Sequence, residues 1–151
     1  MRIDPLAESD RADWDPLWQS YLTFYETELA DDVTDATFAR LVAGEGMHGA
    51  IARDDEGRAV GFVNWLPQAS TWTKGSYCYL EDLFVSPDVR GGGVGRALIG
   101  HVRAWAEDAG CDQVYWLTAD SNARARTLYD KVAELSGFVH YQITLAAHRA
   151  D

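Results

Sequence analysis

The stretch "SPDVRGGGVGRALIG", residues 86–100, constrains this chain more than any other. It sets glycines at 91, 92, 93 and 95 directly before a run that reads as helix. Each glycine beside or inside a helix costs roughly 0.5–1 kcal/mol against alanine, because it has the most backbone freedom to lose. Upstream, "SYCYLEDLFVS" is rich in aromatic and β-branched residues and reads as a strand that Pro87 stops. The order strand, glycine turn, helix has a physical use. A helix N-terminus presents N–H groups without intrahelical partners and about half a positive charge, and glycines let a phosphate approach them without Cβ obstruction. A plain tight turn would also use glycines, so this stretch alone leaves both readings open.

Two phosphate motifs are excluded. The P-loop ends in Gly-Lys-Ser/Thr, whereas Gly95 is followed by Arg96 and Ala97. The dinucleotide fingerprint needs a third glycine, and with Gly93 and Gly95 as its first pair that position holds Leu98.

A short strand is expected at residues 1–6. In "DPLWQSYLTFYETEL", Asp15 is placed as N-cap and Pro16 as first helical residue, with Trp14, Leu17, Trp18, Tyr21, Phe24 and Tyr25 at helical spacing. A second helix is expected over 35–43, ended by Gly44. "HGAIAR" and "AVGFVNWL" read as strands joined by the hairpin loop "DDEGR". After the glycine turn a helix runs to about residue 109, then "DQVYWLTA" reads as strand, "SNARARTLYDKVAEL" as helix and "GFVHYQITL" as a last strand. The pattern is that of a mixed sheet covered by helices.

A chain of 151 residues with 47% hydrophobic content is read as one domain without linkers. It has no run of roughly 18 apolar residues for a bilayer, and its first residues are too polar for a signal peptide, so a soluble cytoplasmic protein without membrane partners is expected. Cys78 and Cys111 form neither a disulfide framework nor a zinc pattern, and His48, His101, His140 and His148 are scattered, so no metal is expected. The net charge of −11 disfavours nucleic acid and favours a cationic substrate, although acids also simply solvate a surface.

What remains is Arg90-x-x-Gly93-x-Gly95, preceded by "YLEDLFV" and followed by "NARARTLY". With the order of strands and helices, these resemble the GNAT superfamily of acyl-CoA-dependent N-acyltransferases over nearly the whole chain. The resemblance implies an α/β (α+β) fold: a mixed, mostly antiparallel twisted sheet of six or seven strands flanked by about four helices. It also implies acetyl-CoA as co-substrate and a homodimer. "YLEDLFV" and the Tyr25–Glu26 pair look like the polyamine acetyltransferase branch, and "LYDKVAELSGF" resembles small-amine and basic-protein acetyltransferases. One departure bears on the acceptor pocket: Gly137 lies eight residues after Tyr129, where the family more often has a glycine four after.

An alkyl ammonium has a pKa near 10.4, so about one molecule in a thousand or fewer is free amine at neutral pH and a base is needed. The resemblance gives that role to Glu81. Its neighbour Asp82 should face the other side of the strand unless a bulge intervenes, and both are candidates for acceptor contact with Tyr25 and Glu26. The resemblance implies pantetheine pairing with the backbone of Leu83, Phe84 and Val85, and phosphate contacts from Arg90, Gly91, Gly92, Gly93, Val94, Gly95 and Arg96. It places Asn122 against the coenzyme and makes Tyr129 the proton donor to the leaving thiolate. Each has a plainer alternative: surface salt bridge for the acids, N-cap for Asn122, core residue for Tyr129.

The expected reaction is direct acetyl transfer to a primary amine of a small cation, a polyamine or diamine, in a ternary complex. The rivals are acetylation of a protein lysine or N-terminus, and an acyl-CoA-binding module without catalysis.

Overall fold

The computed structural model describes residues 1–145, which divide into two compact units, Met1–Thr118 and the residues from Ala119 on. The first unit is built on one five-stranded sheet in chain order, β1 (Arg2–Pro5), β2 (His48–Arg53), β3 (Ala59–Ala69), β4 (Ser76–Val85) and β5 (Cys111–Tyr115). The first three pairings are antiparallel and β4–β5 is parallel. Local chemistry sets the β2–β3 hairpin: the Asp54 carboxylate accepts the backbone N–H groups of Glu56 and Arg58 at 3.0 and 2.9 Å. A parallel pair needs a crossover instead, and here it is the helix α3 (Val94–Asp108). Pro67 lies past the end of β2, where β3 is paired on one side only, the setting in which a strand tolerates proline.

Two further helices, α1 (Arg11–Phe24) and α2 (Asp31–Ala43), precede the hairpin. Both start earlier than the sequence suggests. A 3-10 turn over Glu8–Asp10 runs straight into α1, where Arg11 pairs with Asp15 at 2.8 Å and with Asp35 at 2.6 Å. Pro16 is therefore inside the helix rather than its first residue, and the bond it forfeits is to the carbonyl of Ala12, near the helix start. In α2 the acids Asp31 and Asp32 fill the first turn, where the macrodipole favours negative charge, and Gly44 closes it in the left-handed region as expected.

The aromatic stripe of α1 is core. Trp14, Leu17, Trp18 and Leu22 pack with Phe38 and Leu41 of α2 onto Ile51, Phe62 and Phe84 of the sheet. Because strand neighbours alternate, Trp65 points to the face covered by α3, where it meets His48, His101 and Trp105 with ring centroids 5.7–5.8 Å away. Leu98, Val102 and Ala106 bury that face of α3.

The second unit holds α4 (Ala123–Val132). The strand expected over "GFVHYQITL" is not formed, so the sheet has five strands rather than six or seven. Alternation gives a segment the side chains of a strand, but a strand exists only where another backbone takes up its hydrogen bonds. Residues 137–145 have no such ladder among the described residues, and Phe138, Tyr141 and Ile143 stand exposed. No helix among the described residues is long and apolar enough to cross a membrane.

The Trp65 cluster makes stability pH-dependent. Burial lowers the pKa of His48 and of His101, the latter opposed in part by Asp4. The unfolded chain therefore takes up protons first as pH falls, and stability is lost below about 6.5, the ordinary histidine pKa. We expect thermal melting between pH 7.5 and 5 to show this loss, with a shallower slope in His48→Phe; equal slopes would remove His48 from the effect.

Candidate active site

The register of β3 against β4 creates the site. Asn64 stands opposite Asp82 and Trp65 opposite Leu80, which leaves Glu81 with no partner: a one-residue bulge in β4. Without it, Glu81 and Asp82 would face opposite sides of the sheet in simple alternation. With it, Glu81 is taken out of regular pairing while Asp82 stays opposite Asn64.

Asp82 is held from two elements. The Tyr21 hydroxyl of α1 donates to its Oδ1 at 2.6 Å, and the Asn64 amide of β3 donates through Nδ2 to its Oδ2 at 3.0 Å. Burial pushes the Asp82 carboxyl up from the ordinary range, and these two donors pull it back. Asn64 is 3% exposed and its Oδ1 has no partner among the described residues. The atom lies beside Gly49, where any Cβ would come within 3.0 Å of it.

Glu81 makes no hydrogen bond or ion pair among the described residues, and its surface is exposed. Shielding by its neighbours, then the charge of Asp82, raise its pKa; Arg40 of α2 lowers it in part. Tyr25, the residue ending α1, meets Tyr21 edge to face at 5.0 Å and has its own hydroxyl pKa raised by burial and by Asp82. Glu26 follows with φ +52, in the left-handed region, so the chain turns sharply just past the tyrosine pair. Thus Tyr25, Glu81 and Asp82 are brought together, with Glu26 on the adjoining turn.

Beyond the bulge, Leu83, Phe84 and Val85 continue β4, with Phe84 buried in the core. Arg90 donates from Nε to the Val85 carbonyl at 3.1 Å and lies over the Phe84 ring at 5.9 Å, tying the turn to the strand end. Gly91 and Gly93 both have φ +87, and Gly93 is the N-cap of α3. Nothing lies within 4 Å of where a Cβ would project from either, so backbone conformation and open space, not crowding, select glycine there. Gly92 and Arg96 are exposed beside them, while Val94 anchors the first turn of α3 in the core and Gly95 follows it. The result is an exposed helix N-terminus at the end of a strand, suited to an anion.

Asn122 and Tyr129 belong to the second unit. Asn122 is the N-cap of α4, yet its side chain makes no capping hydrogen bond, and Tyr129 lies two turns on in the same helix. Cys78 is fully buried and its thiol is pushed up to about 12, which keeps it from serving as a thiolate nucleophile at neutral pH. Among the described residues no group of three His, Cys, Asp or Glu could hold a metal ion.

Comparison with known proteins matches residues 7–133 to the acetyltransferase (GNAT) family. The chain belongs to this family. It is an acyl-CoA-dependent N-acetyltransferase. The matched residues run through both units. The acetyltransferase is 36% identical over 142 residues, 93% of this chain and 88% of the relative, to the D-amino-acid N-acetyltransferase HPA3 of Saccharomyces cerevisiae. It is 43% identical over 70 residues, 46% of this chain and 41% of the relative, to a thialysine N-epsilon-acetyltransferase of Bos taurus. Among solved structures it resembles a probable acetyltransferase, with TM-score 0.86, 20% identity and coverage of 98% of this chain and 100% of that one. It also resembles the aminoglycoside acetyltransferase AAC(6')-Iy in complex with a CoA bisubstrate analogue, with TM-score 0.83, 21% identity and coverage of 96% and 98%.

Sequence reasoning missed Tyr21 and Asn64. Tyr21 falls on the apolar stripe of α1, which hides its polar end from a periodicity argument. Asn64 carried a signal, as the lone polar residue of the apolar run "AVGFVNWL". A buried amide in such a run must find partners or cost stability.

Gly93→Ala places a side chain at φ +87, which costs about 1–2 kcal/mol. For a chain of this size each kcal/mol is worth roughly 2–4 °C. We therefore expect its melting temperature to fall by several degrees, measured by thermal denaturation, with Gly100→Ala, inside α3 and in open space, not lowering it.

Proposed function

We propose that this acetyltransferase moves the acetyl group of acetyl-CoA directly to the primary amine of a small cationic acceptor, with Glu81 as the base. The observation that carries this reading is the bulge of β4: it presents an exposed carboxylate of raised proton affinity, unpaired among the described residues, beside a second, clamped one. The Glu81 carboxylate, near the negative charge of Asp82 and the aromatic Tyr25, is suitable chemistry for an ammonium.

In this reading Glu81 takes a proton from the acceptor nitrogen as its lone pair attacks the thioester carbonyl. An N–C bond forms, the carbonyl oxygen becomes negative, and a backbone N–H of Leu83, Phe84 or Val85 stabilises it. Collapse breaks the C–S bond and Tyr129 donates its proton to the departing thiolate. The N–H groups from Arg90 to Arg96 hold the pyrophosphate, Asn122 rests on the coenzyme, and Tyr25 and Glu26 border the acceptor. A single catalytic domain acting as a cytoplasmic homodimer, with no metal, completes the proposal.

A second reading makes the acceptor an amino acid. The specific observation is the likeness to HPA3, whose name specifies D-amino acids, over 93% of this chain. Arg40, whose charge reaches Glu81 and which forms no ion pair among the described residues, is suited to the carboxylate of such a substrate.

The test is thiol release from acetyl-CoA against polyamines, diamines, lysine, thialysine, D-amino acids, aminoglycosides and a basic peptide. We expect saturable turnover with one class of small amine. Glu81→Gln and Tyr129→Phe should each lower kcat by about 10²–10⁴, the usual contribution of general acid–base catalysis. Turnover confined to the peptide would make the protein-acceptor reading correct. Acetyl-CoA binding without turnover of any acceptor would leave a binding module.

A further inference from the structure

Asp82 is not free to act like its neighbour. Both of its oxygens already receive a donor, one from Tyr21 and one from Asn64, so a proton added to Asp82 would compete with one of them. The Asn64 amide is fixed: turning it over would aim its Oδ1 at the carboxylate, an arrangement of two acceptors. The Tyr21 ring is equally fixed, stacked on Trp18 at 5.5 Å and edge-on to Phe62 at 5.6 Å. The surroundings therefore fit the anionic form of Asp82 in a single position, next in sequence to the unopposed Glu81.

We propose that Asp82 is a positioning residue for the transfer: clamped by Tyr21 and Asn64, it fastens the bulge that presents Glu81 and acts on Glu81 as a fixed negative charge, without itself contacting the acceptor. This rests on the reading of Glu81 as the base. Two adjacent carboxylates, neither in an ion pair among the described residues, repel, and a proton moving onto Glu81 relieves that repulsion. The other groups around the pair do not undo this. Tyr79 on β4, Tyr21 on α1 and Tyr25 at its end are neutral at working pH, their hydroxyls shifted upward. Arg40 from α2 opposes Asp82, with the smaller effect. Fixing a charge in advance, rather than moving it during the reaction, lets it act without reorganisation.

The test is kcat/KM for the best acceptor against pH, expressed as the ratio of variant to wild type so that ionisation of the amine cancels. In Asp82→Asn the acidic limb should move to lower pH by about half to one unit, a three- to tenfold change in the retained fraction of activity at a pH on that limb. Tyr21→Phe, which keeps the ring and removes one donor, should move it in the same direction by less, because it eases protonation of Asp82. Circular dichroism checks that both fold. An unmoved limb in both variants, with acceptor KM raised across the whole pH range, would overturn the proposal and make Asp82 a direct acceptor contact. Glu81→Gln separates the two assignments: if the limb survives in it, Glu81 is not the base and the proposal falls with that reading. A limb lost in Glu81→Gln yet unmoved by Asp82→Asn and Tyr21→Phe would overturn the role of Asp82 alone.

Discussion

One carboxylate ties the first unit together where it matters for chemistry. Asp82 takes a hydrogen bond from α1 through Tyr21 and another from β3 through Asn64, while its own strand bulges beside it. A buried acid is costly unless its lone pairs are filled, so the position of Asp82 and the positions of its donors determine each other. If the tyrosine were displaced, the acid would lose its donor; if the register of β3 slipped by one residue, Asn64 would be carried to the α3 face and Trp65 would take its place.

That constraint is supported by packing that has nothing to do with chemistry. Tyr21 can reach Asp82 because Trp14 and Trp18 on the same helix are stacked 5.2 Å apart and buried against Phe38 and Phe62. Asn64 keeps its place because Phe62, two residues earlier, belongs to that core and Trp65, one later, is enclosed by His48, His101 and Trp105 on the other face. The same strand, β4, then delivers the glycine turn. Arg90 folds back onto the Val85 carbonyl, and Gly93 in the left-handed region begins α3, so the acid pair and the exposed helix N-terminus lie along one continuous segment.

Much of this was legible beforehand because it depends on local rules. The hairpin at 54–58 was visible in Asp54 and Gly57, the α2 terminus in Gly44, and the strand–turn–helix unit in the glycines themselves. Boundaries were less legible. Pro16 reads as a helix start, yet the pairing of Arg11 with Asp35, on a different helix, belongs to tertiary structure and accompanies a start at Arg11. "GFVHYQITL" has the alternation of a strand, and alternation records only which side chains would share a face. Strand formation depends on a partner that a pattern does not name.

The sequence by itself determined the family and the kind of chemistry. Arg90-x-x-Gly93-x-Gly95 after "YLEDLFV" carries the resemblance to the acyltransferases, and the positive φ of Gly91 and Gly93 is written directly in residue type. It could not say whether Glu81 and Asp82 keep simple alternation, since that depended on a bulge, and a bulge is a mismatch between two strands rather than a property of either. Tertiary structure alone decided that Asp82 is clamped while Glu81 has no hydrogen bond or ion pair among the described residues. The reason is that hydrogen-bond satisfaction is settled between residues far apart in the chain, 61 positions for Tyr21 and 18 for Asn64.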